Sequence, residues 1–106
     1  MNFKLNSKVI LLTGAGKGIG KEILNLLIKE KVIIYAITRN KQDFKNIKKR
    51  KNLFLISGDV TNENVISEIF LTAKKNKHIF NVLINNAGIR QRKKFSEINK
   101  SDLNSI

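Results

Sequence analysis

Lys8-Val9-Ile10-Leu11-Leu12-Thr13-Gly14-Ala15-Gly16-Lys17-Gly18-Ile19-Gly20 decides how the rest of this chain is read. The apolar run Lys8 to Thr13 is too short for a helix and has the character of a buried parallel strand. Glycines follow it directly, where they permit a tight turn and let the backbone approach a ligand with no Cβ in the way. Beyond them Ile19, Ile23, Leu24, Leu26 and Leu27 recur at helical spacing, with Lys21, Glu22, Asn25 and Lys29 on the other face. A strand, a glycine loop and a helix over Ile19 to Lys29 therefore come in immediate succession. Such a helix start presents unpaired N–H groups and a positive dipole end, a natural anion site. Taken alone, the loop is also consistent with a tight connection that binds nothing.

Working outward, the alternation continues. Val32 to Thr38 is rich in β-branched and aromatic residues and reads as a second strand, closed by Arg39-Asn40. Gln42 to Arg50 gives a weaker helical pattern, with Phe44 and Ile47 among the cations of Lys45 to Lys51 as on a solvated helix face. Leu53 to Ile56 is a third strand, ending at Ser57-Gly58-Asp59. Thr61 is the expected cap of a helix over Glu63 to Lys75 whose buried stripe is Ile66, Ile69, Phe70 and Ala73. Phe80 to Ile84 is a fourth strand, followed by Asn85-Asn86-Ala87-Gly88, and Ser101-Asp102 opens a further helix. The order βαβαβαβ predicts an α/β fold: a doubly wound parallel sheet, with about four strands and flanking helices. Ligands of such sheets bind beyond the carboxyl ends of the strands, where every motif named here falls.

The 106 residues allow one domain. No apolar stretch approaches the length of a membrane span or a secretory signal core, so no membrane partner is expected. The chain has no cysteine and one histidine, which argues against disulfides, thiolate chemistry and transition-metal sites and fits a cytoplasmic setting. A net charge of +13 raises the question of a polyanionic partner. The cations are mostly lysines scattered from Lys4 to Lys100, with no nucleic-acid motif and no exposed aromatic series, so compositional bias accounts for them better than a binding face.

The glycine spacing narrows the chemistry. Ile19 stands where a G-x-G-x-x-G fingerprint needs glycine, and Gly16-Lys17 is not followed by the Ser or Thr of a P-loop. Thr13-Gly14-x-x-x-Gly18-Ile19-Gly20 instead resembles the cofactor signature of the short-chain dehydrogenase/reductase family. Asn85-Asn86-Ala87-Gly88 resembles that family's Asn-Asn-Ala-Gly segment, and Asp59-Val60 its acidic site after the third strand. Singly each has a plainer reading, a helix cap for Asp59 and a turn for the Asn-Gly segment. Three matches in order, over essentially the whole chain, favour the family.

The resemblance implies a Rossmann-like domain over residues 1–106, forming the cofactor-binding half of an oxidoreductase that moves hydride between a nicotinamide and a carbonyl or alcohol. Gly14, Gly18, Ile19 and Gly20 would wrap the pyrophosphate. Asp59 would bind the adenine amino group with Val60 beside the ring, and Asn86, Ala87 and Gly88 would line the path to the nicotinamide ribose. Asn85 would tie the fourth strand to its neighbours. The resemblance further implies a homo-oligomeric parent, with acyl-carrier-protein reductases among the similar members.

The choice of dinucleotide falls at the end of the second strand. An acid there accepts from the ribose 2′-OH of NAD, whereas a cation accommodates a 2′-phosphate. Thr38 and Arg39 occupy this point, and Lys17 approaches from the glycine loop, so charge-assisted contacts favour NADP(H) over NAD(H). The plainer reading is two more exposed cations in a basic chain.

No catalytic residue is assigned. The family's Ser and Tyr-x-x-x-Lys have no counterpart here: Tyr35 lies inside the second strand with no lysine four residues on, and His78 reads as a loop residue. The expectation is a partial sequence whose reacting groups lie downstream and whose fourth strand forms an apolar edge. The resemblance also implies a glycine between the first helix and the second strand, where this chain has Lys31, and a left-handed residue there would cost about 1 kcal/mol or more. Two alternatives are a nucleotide-binding module without catalysis and a basic nucleic-acid-binding protein using Lys41 to Lys51, whose affinity would fall steeply with salt.

Overall fold

A computed structural model describes residues 8–86. Ala87, Gly88 and the helix expected at Ser101-Asp102 lie outside the described residues. The elements are β1 (Val9–Thr13), α1 (Gly18–Leu27), β2 (Ile33–Thr38), a 3-10 turn (Lys41–Phe44), β3 (Leu53–Ser57), α2 (Glu63–Lys75) and β4 (Val82–Asn85). All four strands pair in parallel in the order β3-β2-β1-β4. The doubly wound α/β architecture read from the alternation is the one observed.

Parallel pairing leaves both faces of the central strands to be covered, which is why β1 and β2 are apolar almost without interruption. Odd and even residues of β1 then part company. Ile10 and Leu12 join Leu24, Leu27, Ile34, Ala36 and Phe44 in one core, beneath α1 and the 3-10 turn. Val9 and Leu11 join Tyr35, Ile37, Ile66, Ile69 and Phe70 in the other, beneath α2. The chain moves outward from β1 through β2 to β3 on one face and returns across the other to β4. The carboxyl ends of β1 and β4 thus flank the point where the winding reverses, the usual place for a ligand in such sheets.

The α2 stripe of Ile66, Ile69, Phe70 and Ala73 is buried as expected. Its cap differs: Asn62, not Thr61, accepts the Asn64 N–H through Oδ1 at 2.8 Å. Thr61 is drawn off by Asp59, whose Oδ1 takes both the Thr61 N–H and its hydroxyl at 2.8 Å.

In α1 the buried stripe is Gly20, Leu24 and Leu27, whereas Ile19 and Leu26 are exposed. These two lie roughly 100–120° round the helix from the stripe. Gly20 rather than a bulky residue anchors the buried line, because the helix start presses on the glycine loop.

No helix forms over Gln42 to Arg50. The 3-10 turn stops at Phe44, because Lys45, Lys48, Lys49, Arg50 and Lys51 would crowd like charges along a helix while only Phe44 and Ile47 anchor it to the core. Lys31, where the resemblance implies a glycine, does not have a positive φ. Lys77 has φ 62° and is the one non-glycine described residue with positive φ. It closes α2 in a Schellman turn, with the His78 N–H donating to Ala73 O at 2.8 Å and the Lys77 N–H to Lys74 O at 3.0 Å. After α1 the chain leaves through ordinary turns instead, the Glu30 N–H donating to Leu27 O at 2.9 Å.

Among the described residues β4 is an outer strand, with Leu83 exposed. No helix among them is long and apolar enough to cross a membrane.

Candidate functional site

Gly14 leaves β1 with φ 62° and Gly18 enters α1 with φ 55°, a region that side-chain-bearing residues adopt at a cost of roughly 1–2 kcal/mol. Between them the Ala15 N–H donates to Ile37 O at 3.0 Å, which pins the loop to the end of β2. On the other side Asn86 Nδ2 donates to Gly14 O at 3.3 Å, and a Cβ on Gly20 would overlap that same carbonyl oxygen and crowd Asn86 Nδ2. The loop is thereby clamped between β2 and the residue that follows β4.

This arrangement leaves the first turn of α1 open. Its N-cap, Lys17, has an extended backbone and provides no side-chain acceptor, and the first turn carries no acid. The N–H groups of Gly18, Ile19 and Gly20 have no intrahelical acceptor by the geometry of any helix start, and they add to the positive dipole end.

Beside the loop is a cleft of about 300 Å³. Of the residues singled out in the sequence, Gly14, Lys17, Arg39, Val60 and Asn86 line it together. Gly18 and Lys17 open onto a neighbouring groove of about 550 Å³ that also holds Lys21 and Lys45. Ile19 is exposed on the first turn of α1, and Gly20 is buried against the loop. Asp59 is not among the lining residues; its Oδ2 is 3.6 Å from the guanidinium of Arg39, which is. Both side chains are substantially exposed, so this ion pair contributes little to stability.

Strand ends bring further groups into the cleft that the motifs did not single out: Gly16, Ile37, Asn40, Asp43 and Gly58. Asp43 is the one acid among the lining residues, and its Oδ2 accepts from the Thr38 hydroxyl at 2.9 Å. A signal for it was present, since Asp43 is the sole acid between Glu30 and Asp59 and stands three residues after the cap-forming Asn40.

Thr13 ties the two inner strand ends together. Its hydroxyl donates to Asn85 Oδ1 at 2.8 Å and accepts the Asn86 N–H at 2.9 Å, which fixes the Asn85-Asn86 pair against β1.

Residues 8–106 match the family model described as short chain dehydrogenase. The chain belongs to that family. An uncharacterized oxidoreductase of Saccharomyces cerevisiae is 29% identical over 102 residues, covering 92% of this chain and 39% of its own length. The short-chain dehydrogenase fold is shared with a solved short chain dehydrogenase of Bacillus anthracis, with TM-score 0.80 and 17% identity over 95% of this chain and 51% of that one. A 4-hydroxyisoleucine dehydrogenase solved with NADH superposes with TM-score 0.72 and 20% identity, covering 93% of this chain and 47% of that one. The chain thus spans about half the length, or less, of the short-chain dehydrogenases it matches. Family members are oxidoreductases that use a nicotinamide dinucleotide.

The residues present fit such a cofactor. A backbone cradle that admits no Cβ at Gly20, an uncapped helix start and cations beside an apolar wall of Ile37 and Val60 suit a pyrophosphate and an adenine ring.

Proposed function

We propose that residues 1–106 form the cofactor-binding domain of an NADP(H)-dependent oxidoreductase of the short-chain dehydrogenase type, acting on a carbonyl or alcohol substrate. The observation that carries the cofactor preference is that Arg39 and Lys17 line one cleft at the end of β2, where neither Thr38 nor Arg39 supplies the acid an NAD site places at this point. Bound nicotinamide would supply or accept the hydride. The chain's own residues bind and orient. The first-turn N–H groups of α1 from Gly18 to Gly20 and the backbone of Gly14 receive the pyrophosphate. Arg39 and Lys17 take the 2′-phosphate, Asp59 and Val60 flank the adenine, and Asn86, Ala87 and Gly88 lead toward the nicotinamide ribose. None of them is assigned a proton-transfer role. A cytoplasmic setting accords with the cysteine-free composition.

Calorimetric titration of the full-length protein with NADPH and NADH tests this reading. NADPH is expected to bind about tenfold or more tightly than NADH, and Arg39→Ala to remove most of that difference with little change for NADH. Failure of both cofactors to bind would end the family-type assignment for this site, and a preference for NADH would end the NADP(H) part.

A further inference from the structure

At the end of the sheet opposite the glycine loop, the turn that joins α2 to β4 opens a separate cavity of about 280 Å³. The Asn81 N–H donates to Val9 O at 2.9 Å and Asn81 Oδ1 accepts the Val9 N–H at 2.9 Å, so the segment is tied to the amino end of β1. This cavity shares no lining residue with the glycine-loop cleft. Its wall is apolar: Phe70, Ala73, Ile79 and Phe80, with the two phenylalanine rings edge to face at 5.3 Å between centroids. Phe70 and Ala73 belong to the core and Ile79 is exposed, so the wall runs from the interior out to solvent.

The polar groups around it carry one sign. Lys74, Lys77 and His78 complete the lining, and no lining residue is acidic. Both lysines are exposed, and neither has an ion-pair partner among the described residues. The carbonyls of Thr72, Ala73 and Lys74 in the last turn of α2 already accept from the N–H groups of Asn76, Lys77 and His78. At His78 the Tyr35 hydroxyl engages Nδ1 at 2.7 Å, which leaves Nε2 as the ring nitrogen open to a further partner.

We propose that this cavity is a binding site for a small aromatic carboxylate, its ring held between Phe70, Ile79 and Phe80 and its carboxylate facing Lys74 and Lys77. An apolar hollow with a few convergent polar groups is the usual form of a small-molecule site. Its volume of about 280 Å³ has room for roughly nine non-hydrogen atoms, at the ~30 Å³ that a water molecule takes in the liquid. A phenyl ring packs well edge-on or offset against phenylalanine walls. Two unpaired ammonium groups with no competing acid select an anion over a neutral or cationic ligand of the same shape.

Calorimetric titration of the full-length protein with phenylacetate, phenylacetamide and phenethylamine, probes of similar shape and three different charges, tests the site. One phenylacetate per chain is expected, bound about tenfold more tightly than the amide, with the amine weakest. Lys74→Gln combined with Lys77→Gly is expected to remove that tenfold advantage and to leave the amide unchanged. Ile79→Glu, a substitution at an exposed position, is expected to invert the order in favour of the amine. No saturable binding of phenylacetate, equal affinities for the three probes, or a preference for phenylacetate that persists in both variants would overturn the proposal. With saturating NADPH present, the phenylacetate affinity is expected to stay the same, because the two sites have no residue in common. Competition by NADPH would place the phenylacetate in the cofactor cleft and overturn the proposal as well. The three-probe comparison holds whether or not a dinucleotide binds, so the cofactor reading and this one fail separately.

Discussion

The Tyr35 hydroxyl lies 2.7 Å from His78 Nδ1, joining the middle of β2 to the turn that precedes β4. The Tyr35 ring is fully buried and stacks on Phe54 at 4.4 Å between centroids, with Phe80 edge-on at 5.0 Å. This aromatic group sits on the α2 side of the sheet and secures the return crossover. Tyr35 is thus a packing residue, as its place inside a strand implies.

Burial pushes the Tyr35 phenol from 10.0 up to about 12. The folded-state value lies above the unfolded one, so this contribution to stability is complete below about pH 10 and is lost as pH rises toward about 12. Tyr35→Phe is expected to cost ~1 kcal/mol near neutral pH and to flatten the loss of stability across that alkaline window. Urea unfolding of both proteins between neutral pH and pH 12 checks it, and equal alkaline slopes would refute it.

Lys77 holds a left-handed backbone with φ 62° to deliver His78 to this contact. Lys77→Gly is expected to stabilise the protein by ~0.5–1 kcal/mol, because the Schellman turn keeps its hydrogen bonds and sheds the Cβ strain. Denaturant midpoints measure the gain. Lys31→Gly, at a position without positive φ, is expected to give none.

Thr13→Val keeps the shape of a fully buried side chain but removes the acceptor of the Asn86 N–H and the donor to Asn85. A loss of ~1–3 kcal/mol is expected from the polar groups stranded at the junction of β1 and β4. Amide exchange should report it locally, with Asn86 losing more protection than the β2–β3 amides.

Gly20→Ala would drive a Cβ into the Gly14 carbonyl and toward Asn86 Nδ2. Such overpacking is expected to destabilise the fold by ~1–3 kcal/mol and to weaken NADPH binding by shifting the loop. Gly18→Ala meets no neighbouring atom, so its defect is expected from φ 55° alone and should be the smaller in stability.

The β1 and β2 strands and the α2 stripe were legible because each has a single dominant period or an unbroken apolar run set by burial on two faces. Helix α1 was legible as a helix but not in its orientation. Ile19 and Leu26 are as apolar as Leu24, and only contact with the sheet selects which of them is buried. The segment after Asn40 was misread, because Phe44 and Ile47 at a spacing of three fit a helix as well as a 3-10 turn continued by a further turn. Whether Asn62 or Thr61 caps α2 depends on Asp59 engaging the threonine, which spacing alone does not reveal.

Alternation of apolar runs with glycine and Asn-Gly punctuation by itself determined the parallel doubly wound sheet, since buried parallel strands and right-handed crossovers admit few other arrangements. It also placed Gly14, Lys17, Arg39, Val60 and Asn86 at strand ends that share one cleft. What only the tertiary structure decided was the charge balance of that cleft. Arg39 meets Asp59 across twenty residues of sequence, and Asp43 reaches Thr38 beneath Gly16. Electrostatic pairing depends on separations of a few ångströms in space, and chain spacing leaves those free until the sheet and its turns have packed.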